Sequence, residues 1–477
     1  MLEHALAAIE ADQSPDAAAL VARRAAEFMI ESARGTARVT TPLDADALAA
    51  RFAEPFPAGG MPLEDAVARV MTDVAADSIR LSHPMCLGHQ VSAPLPAAAW
   101  GEALVAVLNN SLAVREMSPA ATVLETAIVR ALAGRCGWSG GGGTFTSGGT
   151  EATFTALLAA RAAAMPDAWE AGVGGTPPVI VHGEHAHYAV TRAAGELGIG
   201  MRNTRAVPSS GHRMDPAALA RTLDTLAAEG RTVMAVVATT GSTATGSFDD
   251  LSKIGPLCAE RGAWLHVDGA HGASALLSAR HRHRLAGIEH ANSLAWDPHK
   301  MMLMPLGAGM LLVRDELRLE AAFAQRAPYL FHEGAERRWD MGPRSFACSR
   351  RAAVVGTWLA ILRHGVDGIA ALHDRLVELA AMLHRKVEAH PGFVALHRPE
   401  SNILCFALAA PDAMADDVNR RLRERYNAGG EGWITTTVLD GRRVLRVTLM
   451  NPRTTEAHLD QLLDGLAREG RALLAGG

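Results

Sequence analysis

The sequence predicts an α/β fold, a mainly parallel sheet with helices on both faces, preceded by an N-terminal helical arm and followed by a small C-terminal α+β domain. Three observations predict it. Short apolar or β-branched runs at Val179–His182, Val233–Thr239, Ala263–Asp268 and Ser293–Trp296 alternate with helical stretches at Thr150–Met165, His187–Leu197, Asp215–Glu229 and Asp250–Arg261. Alternation of this kind means parallel strands joined by crossover helices, and uninterrupted apolar strands mean a sheet buried on both faces. Before them, Pro15–Arg34 and Pro62–Ser78 are apolar at helical spacing around the Pro/Gly-rich loop 55–60. After them, helical stretches at Arg350–Arg363 and Gly368–His390 lead past Pro391-Gly392 to strand patterns at Phe393–His397, Ile403–Leu408, Ile434–Val438 and Val444–Thr448. The expected division is an arm over 1–87, a large domain over 88–375 and a small domain over 376–477.

Composition narrows the function classes. The chain has 477 residues, 49% hydrophobic and 20% charged, with a formal net charge of −5, so disorder is excluded as its main state. Without a long Lys/Arg run it carries no electrostatic footprint for nucleic acid or an anionic membrane. No uncharged apolar run approaches the ~20 residues that span a bilayer, and the first 20 residues do not read as a signal peptide. Five scattered cysteines without a C-x-x-C pair suggest neither a disulfide framework nor a zinc ribbon, and fit a reducing, cytoplasmic setting. Of 46 basic Lys and Arg side chains only three are lysines, Lys253, Lys300 and Lys386, so chemistry that needs a free amine has three candidates.

In an open α/β sheet the ligand sits at the carboxyl ends of the strands, and four such places carry chemistry. Ser147-Gly148-Gly149-Thr150 joins a strand at Thr144–Thr146 to a helix; its glycines allow close backbone approach, and the helix-start N–H groups with the Ser147 and Thr150 hydroxyls suit a phosphate. Alone, it reads equally as a tight turn with an N-cap Thr. Asp268 ends an apolar strand, where a buried carboxylate needs a cation or a protonated ring nitrogen, or else caps a turn. Lys300 follows Asp297-Pro298-His299 among apolar residues, and desolvation moves a lysine toward the free amine that forms Schiff bases. Lys253 and Lys386 lie in charged surroundings and read as surface residues. In His182-Gly-Glu-His185-Ala-His187, the H-x-x-H-x-H spacing would strain a single metal site, so no metal is expected, and a planar His187 could cover an aromatic cofactor.

A phosphate cradle, a strand-end carboxylate, a planar imidazole and a buried lysine together form the set that pyridoxal 5′-phosphate (PLP) requires. The chain resembles the group II PLP-dependent amino acid decarboxylases, the family of glutamate, aromatic amino acid, cysteine sulfinate and 2,4-diaminobutyrate decarboxylases. The matching stretches are His83-Pro84, Ser147-Gly-Gly-Thr-Glu-Ala152, His185-Ala-His187-Tyr188, Gly241-Ser-Thr243 with Ser247-Phe-Asp249, His266-Val-Asp268, Asp297-Pro-His-Lys300, and Leu445-Arg446-Val447 with Asn451-Pro452. The resemblance implies the type I PLP fold, a homodimer and a small amino acid substrate, of the glutamate or 2,4-diaminobutyrate type by the look of Gly342–Arg351. It implies that Lys300 carries the cofactor, Asp268 pairs with the ring nitrogen and His187 stacks on the ring. By the same resemblance Gly149, Thr150 and His299 bind phosphate beside Ser147 and Gly148, Thr243 lies under the cofactor, and Arg446 takes the substrate carboxylate near His89 and Gln90.

One departure bears on the outcome. In the family, a loop tyrosine returns a proton to the reacting carbon, yet Gly334–Phe346 contains none, and the chain has only Tyr188, Tyr329 and Tyr426. His332 or His89 is the expected replacement. Decarboxylation-dependent transamination, oxidative deamination, or a PLP-binding regulatory protein without turnover are the alternative readings.

Overall fold

The computed structural model describes residues 1–41, 43–323, 327, 329–331, 334, 337–410 and 414–475. Contacts divide the chain into two compact units. One comprises residues 1–89, 385–396 and 406–477; the other comprises 90–384 and 397–405. The three expected segments are thus spread over two units.

The larger unit is built on a seven-stranded sheet. Its strands are β1 (Gly142–Thr146), β2 (Val179–Gly183), β3 (Thr204–Val207), β6 (Val233–Thr239), β7 (Trp264–Asp268), β8 (Ser293–Trp296) and β9 (Gly309–Val313), and a two-stranded hairpin, β4 (Ser209–Ser210) with β5 (Arg213–Met214), lies beside them in sequence. The spatial order is β1-β9-β8-β7-β6-β2-β3. Neighbours from β8 to β3 pair in parallel, and β9 runs antiparallel to both β8 and β1. Every residue of β1, β2, β7, β8 and β9 is buried, as a sheet covered on both faces requires. A core cluster packs Leu157, Leu158 and Val190 of helices Gly149–Ala164 and Ala189–Glu196, with neighbouring Leu197, against Ile180, Met234 and Val237 of the strands. Helix Pro216–Ala228 starts where the sequence dictates: Asp215 accepts the Ala217 N–H at 2.9 Å, and Pro216 occupies the first turn, where its missing N–H costs nothing. The two helical stretches expected around residue 365 are both present within 353–389, separated at Gly365, whose φ of 68° is non-helical.

The smaller unit contains the arm and most of the C-terminal domain. Helix Pro15–Arg34 is capped by Ser14 and ended by Gly35 at φ 70°, whereas helices Leu2–Asp12 and Ala45–Arg51 bury no residue. Its sheet consists of β10 (Phe393–Ala395), β11 (Ile403–Leu408), β12 (Thr435–Leu439) and β13 (Arg442–Thr448), in the order β10-β11-β13-β12. The first half of β11 belongs to the larger unit, a detail that sequence periodicity does not contain.

Candidate active site

The carboxyl ends of β6, β7 and β8 and the start of helix Gly149–Ala164 surround a cavity of about 500 Å³. It brings together Ser147, Gly148, Gly149, Thr150, His187, Thr243, Asp268, His299 and Lys300, nine residues drawn from five separate segments. The helix leaves the N–H groups of its first turn without intrahelical partners, facing anions with the positive end of its dipole. A side chain at Gly149 would stand 2.8 Å from Ala270 Cβ and 3.1 Å from Asp297 Oδ2, so only glycine fits. At the edge of the cavity the Ser147 hydroxyl and N–H both donate to Glu151 Oε2, at 2.6 and 2.9 Å.

Asp268 ends β7 with 9% exposure, and its Oδ1 accepts the Ala270 N–H at 3.2 Å. Lys300 has a more polar setting than its sequence neighbours suggest. Its side chain is 21% exposed and its Nζ lies 3.4 Å from Asp297 Oδ2, with His299 Nε2 at the same distance from that oxygen. The turn after it is strained: Leu303 has φ 61°, costly for a branched side chain, and its N–H donates to Lys300 O at 3.0 Å. His187 is held with Nδ1 accepting the Ala189 N–H at 3.3 Å. Burial lowers its pKa, against Asp268, which raises it, so the imidazole is neutral near pH 7. Burial likewise lowers the pKa of His299, opposed by Asp297.

Thr239, Gly241, Tyr188, Ala270, His271, Asp297, Leu306 and Gly307 also line the cavity. Asp297 belongs to the stretch Asp297–Lys300 already singled out; Leu306 and Gly307 enter through a later turn with no signal of their own. His182 and His185 are not among the cavity's lining residues, and their rings bond Gly183 O at 2.8 Å and Ser209 Oγ at 3.1 Å. Gln90 belongs to the larger unit but is not among the lining residues. His89 and Arg446 belong to the smaller unit, where the His89 ring lies edge-on to Trp433 at 4.7 Å and burial, then Arg446 and Arg423, lower its pKa. Tyr329 is 83% exposed, and His332 lies outside the described residues.

The residues present fit PLP. Asp297 Oδ1, His299 Nδ1 and Thr239 Oγ1 are buried polar atoms without a hydrogen-bond partner among the described residues, and such atoms in a native cavity call for a polar ligand or water. The glycine-lined helix start suits its phosphate, Asp268 its ring nitrogen and Lys300 its carbonyl carbon.

Comparison with known proteins agrees. The model of the pyridoxal-dependent decarboxylase conserved domain matches residues 67–409. L-2,4-diaminobutyrate decarboxylase of Rhizobium meliloti (strain 1021) is 32% identical over 427 residues, covering 88% of this chain and 84% of that protein. Cysteine sulfinic acid decarboxylase of Rattus norvegicus is 31% identical over 413 residues, covering 83% and 84%. The crystal structure of mouse CSAD aligns with a TM-score of 0.90 at 28% identity, over 96% of this chain and 99% of that one. With the cavity and these likenesses in accord, the chain belongs to the pyridoxal-dependent decarboxylase family and is a PLP-dependent amino acid carboxy-lyase.

Proposed function

We propose that the protein removes the α-carboxylate of an L-amino acid of the glutamate or 2,4-diaminobutyrate type, giving the amine and CO₂. The observation that carries this reading is the convergence of Lys300, Asp268 and His187 on one cavity beside a glycine-lined helix start. The similar proteins named for diaminobutyrate and cysteine sulfinic acid support a short substrate bearing a second charged group.

Bound PLP supplies a carbonyl carbon for amine attachment and a ring that accepts the electrons left by departing CO₂. Lys300 provides the amine at Nζ, oriented by Asp297 Oδ2. Asp268, shielded from solvent at the end of β7, would hold a proton on the ring nitrogen of bound PLP. Neutral His187 offers a flat face without adding charge. Arg446, 6% exposed on β13, takes the substrate carboxylate in this reading. A homodimer belongs to the same reading, supported by Trp100, Leu104, Val107 and Leu108, which helix Pro96–Leu108 leaves exposed. No helix among the described residues is long and apolar enough to cross a membrane, and the cytoplasmic setting rests on cysteine usage.

The test is CO₂ release from a panel of glutamate, 2,4-diaminobutyrate, cysteine sulfinate, basic and aromatic amino acids. Fastest release from an acidic amino acid or diaminobutyrate is expected; preference for an aromatic amino acid would overturn the substrate assignment. The absence of tyrosine from Gly334–Phe346 favours a second reading, in which part of the product is a carbonyl compound. The amine-to-CO₂ ratio decides it: one to one excludes diversion. A drop in that ratio in His332→Gln or His89→Gln identifies the proton donor.

A further inference from the structure

Residues 397–405 follow β10 in sequence yet pack in the larger unit. They form a closed strap, because the Cys405 N–H donates to His397 Nε2 at 3.1 Å and ties the ends together. Within that loop, Glu400 is a hub. It receives Arg213 at 2.5 Å, Arg284 at 3.2 Å and the Phe248 N–H at 3.3 Å. Next to it, a side chain at Gly246 would collide with Ser401 Oγ at 1.8 Å, so the strap lies directly on the turn 241–249. Cys405 Sγ donates to Ala244 O at 3.2 Å on the same turn.

That turn carries Thr243 into the cavity, and a ladder of buried hydroxyls holds it from within, Ser242 to Thr245 at 3.0 Å and Thr245 to Ser247 at 2.7 Å. A further contact of the strap reaches the cavity wall itself. Asn402, wholly buried, places Oδ1 2.6 Å from Nε2 of His271, which is 2% exposed and lines the cavity with Asp268 and Lys300.

We infer that Asn402 is a positioning residue for the cofactor cavity, acting through His271, and that the strap 397–405 exists in the larger unit to deliver it. An imidazole has two tautomers and a soft ring torsion, so its plane and hydrogen-bonding pattern depend on what fixes one nitrogen. A carbonyl oxygen only accepts; with Oδ1 against it, Nε2 carries the hydrogen, and the ring presents one defined edge. Without that acceptor a buried N–H is left unpaired, and the ring turns or exchanges tautomer to relieve the cost. The backbone couples the change onward, since the Gly272 N–H donates to Thr240 O at 3.0 Å, beside the start of the Thr243 turn.

This inference rests on the PLP reading of the cavity, and the experiment separates the two. Apoprotein of the unaltered chain, Asn402→Ala, His271→Phe and the double variant is titrated with PLP, following affinity and the circular dichroism of the bound cofactor. Expected are a Kd raised about tenfold and an altered band in each single variant, as for the loss of a group that orients a direct ligand. The double variant should be no worse than the worse single, because one contact is removed twice. Additive losses, or unchanged Kd and band in the single variants, would overturn the inference. Should Asn402→Ala fail to fold, a folded His271→Phe with unaltered Kd and band overturns it by itself. Failure of the unaltered chain to bind PLP is a different result, refuting the cofactor assignment and this inference with it.

Discussion

The two ends of the parallel strands hold two hollows, and the larger one is not where the chemistry lies. At the amino ends of β6 and β7 a hollow of about 690 Å³ is lined by Ala160, Ala164, Arg231, Arg261, Trp264 and Arg314, among others, whereas the cavity at the carboxyl ends measures about 500 Å³. Helix Gly149–Ala164 borders both, turning its first residues to the smaller cavity and its last to the larger hollow. Its dipole is therefore positive toward one and negative toward the other. The arginines at the amino ends all find local partners, Arg231 at Asn203 Oδ1 (2.7 Å), Arg261 at Asp224 (2.7 Å) and Arg314 at His290 O (3.3 Å), and only Arg231 Nε is left without one among the described residues. At the carboxyl ends Asp297 Oδ1, His299 Nδ1 and Thr239 Oγ1 have no such partner among the described residues. The gathering of unanswered polar atoms from three residues, rather than volume, marks the end prepared for a ligand.

Five substitutions or conditions break or sharpen this contrast. Lys300→Ala should remove borohydride-reducible attachment of PLP and lower turnover by more than about a thousandfold. A reducible adduct persisting at Lys253 or Lys386 would move the chemistry away from the cavity. Asp268→Asn should still fold and bind PLP but lose roughly a hundred- to a thousandfold in kcat; unchanged turnover would reduce Asp268 to a turn cap. Gly149→Ala, whose methyl meets Ala270 and Asp297, should weaken PLP binding about tenfold, measured by titration of the apoprotein.

A fourth expectation concerns the core between the two ends. Burial pushes His266 in β7, His373 and His397 down to about 4, below the ordinary 6.5 of an unfolded chain. Between those values the unfolded state binds more protons, so the stability they contribute is complete above pH 6.5 and is lost as pH falls toward 4. Asp249 opposes this: burial raises it to about 6, so the fold holds its proton and its contribution weakens as pH rises from 4 to 6. With three groups against one, the apoprotein's unfolding temperature should fall between pH 6.5 and 4.5, and His373→Gln should flatten the slope; a rise on acidification would contradict the balance. The smallest effect belongs to the larger hollow. Arg261→Ala removes a partly exposed ion pair worth at most about 1 kcal/mol and should leave kcat/KM within about twofold of the unaltered value.

Much of the site was legible because its groups are rare in their settings. A lysine just past an apolar strand, in a chain with only three lysines, needed no coordinates to stand out, and neither did an aspartate ending a run of buried residues. His271 was less visible as a site residue, since its role depends on Asn402, 131 positions away. Ser147 lines the cavity as its place in the turn implies, and its bond to Glu151, one helical turn on, adds a local contact that the motif does not spell out. Strand β9 also escaped, because Gly309–Val313 is a short apolar run without periodicity that separates strand from buried helix.

By itself the sequence determined the alternation of strands and helices and the identity of the reactive side chains, because these depend on neighbours within one or two turns. Tertiary structure alone decided that β9 runs antiparallel between β8 and β1, that His187, Asp268 and Lys300 line one cavity, and that residues 397–405 leave their sequence neighbours to hold the cavity's His271 and Thr243 turn. These are contacts between segments far apart along the chain, selected by which packing buries the apolar strands while leaving the fewest buried polar atoms unpaired. Local pattern carries no record of that choice.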